Sequence, residues 1–247
     1  MIREFFDLIA PRMCCICGRR LDASEHIICT VCLAHLPLTG FLDHPYENNM
    51  AKVFWGRVKD FQKAFALMYH LSHADSAKAV YQLKYAGFFD IGIEMGYLMG
   101  RMMSEKNFFA DIDALLPVPL AKKRLKERGY NQSAMIALGI HDATGLPILK
   151  KVVRRKSFEG SQTTKSRLDR AENVDAVFEL VRPSAVRGRH LLVIDDVVTT
   201  GATICALAAQ LQQAGGVRIS VASLSYAGQW HADGDGDLEE NNPSIEK

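Results

Sequence analysis

The sequence predicts an α/β protein, a mostly parallel sheet flanked by helices, with a small cysteine-bearing module at its N-terminus. Three observations predict it. From residue 63 onward, apolar strand-like runs alternate with segments of helical spacing, the pattern of parallel strands joined by crossover helices. Five of the six cysteines fall before residue 46. The strongest strand-like run, "HLLVIDDV", ends in two adjacent acids, Asp195 and Asp196, and open α/β sheets bind ligands beyond the carboxyl ends of their strands.

The elements follow in order. "KAFALMYHL" (63–71) is apolar and aromatic enough for a strand. From residue 74 the spacing turns helical, with Ala77, Val80, Tyr81, Leu83 and Lys84 on one face and its edge, and Gly87 placed to end the helix. "IGIEMGYLMGRMM" reads as a second helix whose glycines permit close packing. "ALLPVPL" is a strand ended by Pro117 and Pro119. A helix starts near Asn131 and closes near Gly145. Residues 154–173 lack periodicity and are rich in charge and hydroxyls, which predicts a long loop or lid. "VDAVFELV" is a strand or arm, "ICALAAQLQQAGG" a helix with a Gly-Gly stop, and "VRISVASLSYA" the final strand. The expected division is a module over 1–45, a main domain over 46–230 and a disordered acidic tail over 231–247.

Composition narrows the functional classes. The chain is 48% hydrophobic and 23% charged over 247 residues, ordinary for a globular protein. Its formal net charge of +2 does not mark a nucleic-acid binder. No apolar run approaches the roughly 18 residues of a membrane span. The N-terminus, with Glu4 and Asp7, is a poor secretory signal, which favours the cytoplasm, where disulfides are rare.

The cysteines therefore need a non-disulfide reading. Cys14-x₂-Cys17 and Cys29-x₂-Cys32, with eleven residues between the pairs, have the spacing of a tetrahedral zinc site in a module too small for its own core. A disulfide framework and an iron–sulfur cluster are the competing readings. Cys15 is an extra thiol, and Cys205 reads as a packing residue.

Beyond Asp195 and Asp196 the chain runs Val197, Val198, Thr199, Thr200, Gly201, Ala202, Thr203 and into a helix. A helix N-terminus offers unpaired N–H groups to an anion, the threonines add hydroxyl donors, and Gly201 lets the backbone come close. The carboxylates would repel a phosphate but can accept hydrogen bonds from a vicinal diol or help hold a cation. A ligand with a phosphate at one end and sugar hydroxyls in the middle, such as ribose 5-phosphate, suits both halves. A phospho-acceptor or bare magnesium site, or a plain strand-end turn, fits the same spacing. Neither a Walker A loop nor a G-x-G-x-x-G fingerprint is present.

This stretch resembles the 5-phosphoribosyl 1-pyrophosphate (PRPP) motif of type I phosphoribosyltransferases: an apolar strand, two acids, two apolar residues, then Thr-Thr-Gly-Ala-Thr. The wider chain resembles the ComF family, phosphoribosyltransferase-like proteins linked to DNA uptake in competent bacteria. The further matching stretches are "LKYAG" (83–87), "LLPVPLAKKRLKERGYNQ" (115–132), "SQTTKSRLDRAENVDAVF" (161–178) and the cysteine module. The resemblance implies a type I phosphoribosyltransferase fold. It implies that Asp195 and Asp196 hold the ribose hydroxyls, and that Thr199, Thr200, Gly201, Ala202 and Thr203 wrap the 5-phosphate. It also implies Mg²⁺ bound with PRPP, and structural Zn²⁺ on Cys14, Cys17, Cys29 and Cys32.

Two basic segments bear on the pyrophosphate. "AKKRLKERGYNQ" carries five basic residues against one acid, and "RRKSFEGSQTTKSRLDR" six against two, each a net +4. By the resemblance, Lys122, Lys123, Arg124 and Arg128 are pyrophosphate candidates, and Arg167 sits in a lid that closes over the reacting centre and excludes water. A solvated basic helix face and a plain surface loop are the bland readings. The same charges could contact a DNA backbone. Two functions follow: a transferase acting on PRPP, or an accessory factor that binds single-stranded DNA or competence and recombination proteins. No residue names the acceptor.

Overall fold

The computed structural model describes residues 11–71, 75–85, 88–156 and 177–228. Its centre is a four-stranded sheet in the order β1-β6-β5-β2, every neighbouring pair parallel. The strands are β1 (Phe61–Tyr69), β2 (Ala114–Pro117), β5 (His190–Val198) and β6 (Arg218–Tyr226). Leu191, Leu192, Val193 and Ile194 are buried without alternation, as expected for a strand covered on both faces. β2 is short because Pro117 and Pro119 remove ladder donors.

The helices are α1 (Thr30–Ala34), α2 (Asn49–Lys52), α3 (Asp75–Tyr85), α4 (Phe89–Glu105), α5 (Lys122–Arg128), α6 (Gln132–Thr144) and α7 (Ala202–Gln212). Asn131 caps α6 by accepting the Ser133 N–H at 3.1 Å, and Gly145, at φ 75°, ends it. α4 and α6 pack at backbone distance. A Cβ on Gly139 would fall on the carbonyl oxygen of Ile93, and one on Gly96 on that of Ile136. The glycines in the methionine-rich helix thus serve close packing, and Met95, Met99 and Met103 fill the core beside them.

Residues 37–45 run along the outer edge of β1. Leu38 bridges Met68, the Thr39 N–H donates to the Leu67 carbonyl at 3.2 Å, and the Ala64 N–H donates to that of Pro45 at 2.9 Å. The edge of the sheet is thereby covered.

One expectation is corrected. Arg154 and Arg155 do not begin a loop. They lie in β3 (Val153–Arg155), antiparallel to β4 (Phe178–Leu180). The ladder holds because Arg154 pairs with Glu179 through two nitrogens, at 2.8 and 2.9 Å, while Arg155 stacks over the buried Phe178 ring at 5.3 Å. The basic run 122–128 is the helix α5, with no buried residue. The remainder of the expected lid, including Arg167, and the tail 231–247 lie outside the described residues. Among the described residues, no helix is long and apolar enough to cross a membrane.

Candidate functional site

At the carboxyl end of β5, Asp195 and Asp196 line a polar cavity of about 180 Å³. β5 leaves the two acids half-buried while its apolar residues fill the core. Asp195 Oδ1 accepts the Ser133 hydroxyl at 3.0 Å and the Asp196 N–H at 2.9 Å. Asp196 Oδ1 accepts the Val197 N–H at 2.8 Å, and its Oδ2 meets Lys84 Nζ at 3.2 Å. Burial, followed by the charge of Asp196, pushes the Asp195 carboxyl up to about 7.

The same cavity also carries cations. Lys84, Arg124, Arg128 and Arg155 all line the cavity. Burial and the nearby charge of Arg124 lower the Arg155 guanidinium, while Asp195 opposes them. Arg128 donates to Gln132 Oε1 at 2.9 Å, and the Gln132 Nε2 is buried with no partner among the described residues. Crowded cations and an unpaired buried donor are the arrangement an anion with several oxygens would complete.

The turn after β5 leads into α7. Gly201 is its N-cap at φ 70°, and no side chain caps the helix. A Cβ at Gly201 would meet Val53 Cγ1 at 2.6 Å and Phe54 Cε1 at 2.8 Å. Arg57 donates to the Thr200 carbonyl at 2.7 Å. Residues 53–57 thus seat the turn with its first N–H groups uncapped by side chains, the geometry for an oxyanion. Thr203 lines the cavity, Thr199, Thr200 and Ala202 are exposed, and Gly201 is buried.

Not every sequence candidate arrives here. Arg124 and Arg128 face the acid pair. Lys122 borders a neighbouring pocket with Leu125 and Arg154, and Lys123 lines neither. Lys84, Gln132, Ser133 and Arg57 received no role from the sequence, and Arg155 only a place in the second basic segment. Lys84 and Gln132 lay inside stretches already singled out, "LKYAG" and "GYNQ". The signal for Lys84 was a lone cation one turn before a glycine. His70, just after β1, carries a buried Nδ1 with no partner among the described residues, and burial, then the charge of Lys84, lowers its pKa. A more apolar cleft of about 280 Å³, lined in part by Leu116, Met135 and Ile148, opens beside β2 and holds no carboxylate.

The N-terminal module brings Cys14, Cys17, Cys29 and Cys32 together, all four Sγ within 4.8 Å of one another. Cys17 Sγ and Cys29 Sγ lie 3.8 Å apart. That is the edge of a tetrahedron with Zn–S bonds of about 2.3 Å. The Cys29 N–H donates to Cys14 Sγ at 3.4 Å and the Cys32 N–H to Cys29 Sγ at 3.3 Å. Burial raises the Cys29 thiol, but the Cys32 N–H and the Arg19 guanidinium outweigh it and bring it down to about 6. The donor set fits a structural zinc ion. Cys15 stands outside it, and burial pushes its thiol up to about 12. All six cysteines are free, so the disulfide reading is not met.

No family model matches the chain. Competence protein F of Haemophilus influenzae is 32% identical over 116 residues, covering 47% of this chain and 51% of that protein. The chain thus spans about half the length of that relative. DNA utilization protein YhgH of Salmonella typhimurium is 26% identical over 239 residues, covering 87% of this chain and 96% of that protein. Among solved structures, a glutamine PRPP amidotransferase from B. subtilis is 20% identical over 57% of this chain and 30% of its own, at a TM-score of 0.40. That score is too low to carry weight, and the parallel α/β architecture rests on the strand pairing itself. The chain is a homologue of competence protein F and of DNA utilization protein YhgH, as its resemblance to the ComF family implies.

Proposed function

We propose that the chain binds PRPP with Mg²⁺ and transfers its ribose 5-phosphate group to a nitrogenous acceptor. The observation that carries this reading is one cavity holding a strand-end acid pair, four cations and the approach to an uncapped helix N-terminus. The three parts match the diol, the pyrophosphate and the 5-phosphate of one ligand. Asp195 and Asp196 accept hydrogen bonds from the ribose hydroxyls. The backbone and hydroxyls of residues 199–203 hold the 5-phosphate. Arg124, Arg128 and Arg155 face the pyrophosphate. Lys122 and Lys123, on the outer side of α5, contribute to the field rather than to contact.

In the reaction, the bond from the anomeric carbon to the pyrophosphate oxygen breaks and the oxygen keeps the electron pair. The acceptor nitrogen forms the new bond to that carbon and loses its proton to solvent. Guanidinium groups fixed in place stabilise the charge that develops on the leaving oxygen. When bound with PRPP, Mg²⁺ would supply further neutralisation of the pyrophosphate. The four-cysteine module holds Zn²⁺ as a closed structural site with no position open for substrate.

A second reading is an accessory role in DNA uptake or recombination, with single-stranded DNA or a protein as partner. The names of the two relatives favour it. Pyrophosphate release from PRPP and Mg²⁺, measured across purine and pyrimidine bases, separates the two. The transferase reading expects release with at least one base, and a loss of about 100-fold or more in Asp196→Asn. Release at the same rate in that variant contradicts the assigned site. No release with any base leaves the accessory reading.

A further inference from the structure

We propose that Lys84 is the exchange partner of the ribose diol: its ammonium holds Asp196 until a diol takes that oxygen, and then pairs with the pyrophosphate end of the ligand. This rests on the PRPP reading above and adds to it a residue that the motifs leave without a role.

The oxygens of the acid pair show why an exchange is needed. Asp195 Oδ1 is taken by the Ser133 hydroxyl and the Asp196 N–H. Asp196 Oδ1 is taken by the Val197 N–H. Two oxygens remain. Asp195 Oδ2 has no hydrogen-bond or ion-pair partner among the described residues. Asp196 Oδ2 has one, Lys84 Nζ at 3.2 Å. A vicinal diol bridging both acids takes the first oxygen directly and meets the ammonium at the second.

The ammonium can leave when another anion takes the place of Asp196. Among the described residues its one ion-pair contact is Asp196, and the Lys84 and Asp196 side chains are 22% and 16% exposed. A single-contact pair lacks the second hydrogen bond of a bidentate one. Lys84 is the penultimate residue of α3 and reaches the acid on a four-carbon stem with freely rotating donors. It shares the cavity with Arg124, Arg128 and Arg155. A pyrophosphate there offers several charged oxygens in place of the one given up. Ribose 5-phosphate offers none, because its only phosphate is held at the turn of residues 199–203.

The two ligands therefore answer differently when the charge is removed. The test is binding of PRPP with Mg²⁺, and of ribose 5-phosphate by competition against it, to the full zinc-loaded chain and to Lys84→Met and Lys84→Gln. Loss of the ammonium is expected to weaken PRPP by about tenfold or more. Ribose 5-phosphate is expected to change by less than about threefold, because the diol no longer has an ammonium to displace. Equal weakening of both ligands, no weakening of PRPP, or selective loss of ribose 5-phosphate would each overturn the exchange. A wild-type chain that binds neither ligand fells the PRPP reading itself, and the exchange with it.

Discussion

Asp195 and Asp196 stand side by side at the end of β5, two like charges with the Lys84 ammonium against one of them. Burial and that repulsion raise the Asp195 carboxyl from 3.8 to about 7. The folded chain therefore holds a proton between these values that the unfolded chain has released. Stability falls as pH rises through that window, and the full cost is present above it. Asp195→Asn keeps the oxygen that accepts from Ser133 and the Asp196 N–H, and removes the charge. It should stabilise the unliganded protein at pH 8 by about 1–3 kcal/mol, with the gain shrinking toward pH 4. Urea denaturation at several pH values reads this directly. A pH-independent gain, or a loss, would contradict the environment assigned to Asp195. The site thus bears a charge cost that a bound ligand can relieve, as expected where binding competes with stability.

At the scale of elements, the α4–α6 contact sets where α6 begins, and so where Gln132 and Ser133 meet β5. Gly139→Ala puts a methyl onto the Ile93 carbonyl, backbone against backbone, with no flexible side chain to yield. It should destabilise the fold by about 2–4 kcal/mol, read as a lowered denaturation midpoint. Gly145→Ala, at a positive-φ cap in open space, should cost less, about 1 kcal/mol. Equal effects would contradict the close approach. Much of this was legible in the sequence. The strands β1, β5 and β6 are long apolar runs, and the helices α3, α4, α6 and α7 show their spacing. β4 falls within the strand or arm expected at "VDAVFELV", but its partner β3 was not legible, because their pairing comes from Arg154 with Glu179 and Arg155 with Phe178, partners more than twenty residues apart. The helix α5 buries no residue and so lacks an apolar stripe, and it agrees with the basic helix face that was one reading of that run.

Across the whole molecule, the two ends of the sheet carry different chemistry. At the amino end, Lys63 Nζ meets Asp111 Oδ1 at 2.6 Å. Buried His190 lies there between the Asp111 carbonyl and the Ser220 hydroxyl, each at 2.8 Å. In that network burial, more than any charge, lowers the pKa of His190. At the carboxyl end, the acids, cations and helix N-terminus leave donors and acceptors unmatched, so the open chemistry lies where a parallel sheet binds ligands. The acid pair and the threonine turn could be read from a single stretch of chain. Lys84, Arg57 and Arg155 could not, because they reach the site from α3, from the segment after α2 and from β3, and only the fold brings them together. The claim that joins these scales is that the carboxyl end of β5 binds PRPP. Calorimetric titration of the zinc-loaded chain with PRPP and Mg²⁺, beside the Asp195→Asn/Asp196→Asn double variant, tests it most directly. The account predicts saturable binding in the wild-type chain that is lost in the double variant. Equal binding by both, or binding by neither, would contradict it.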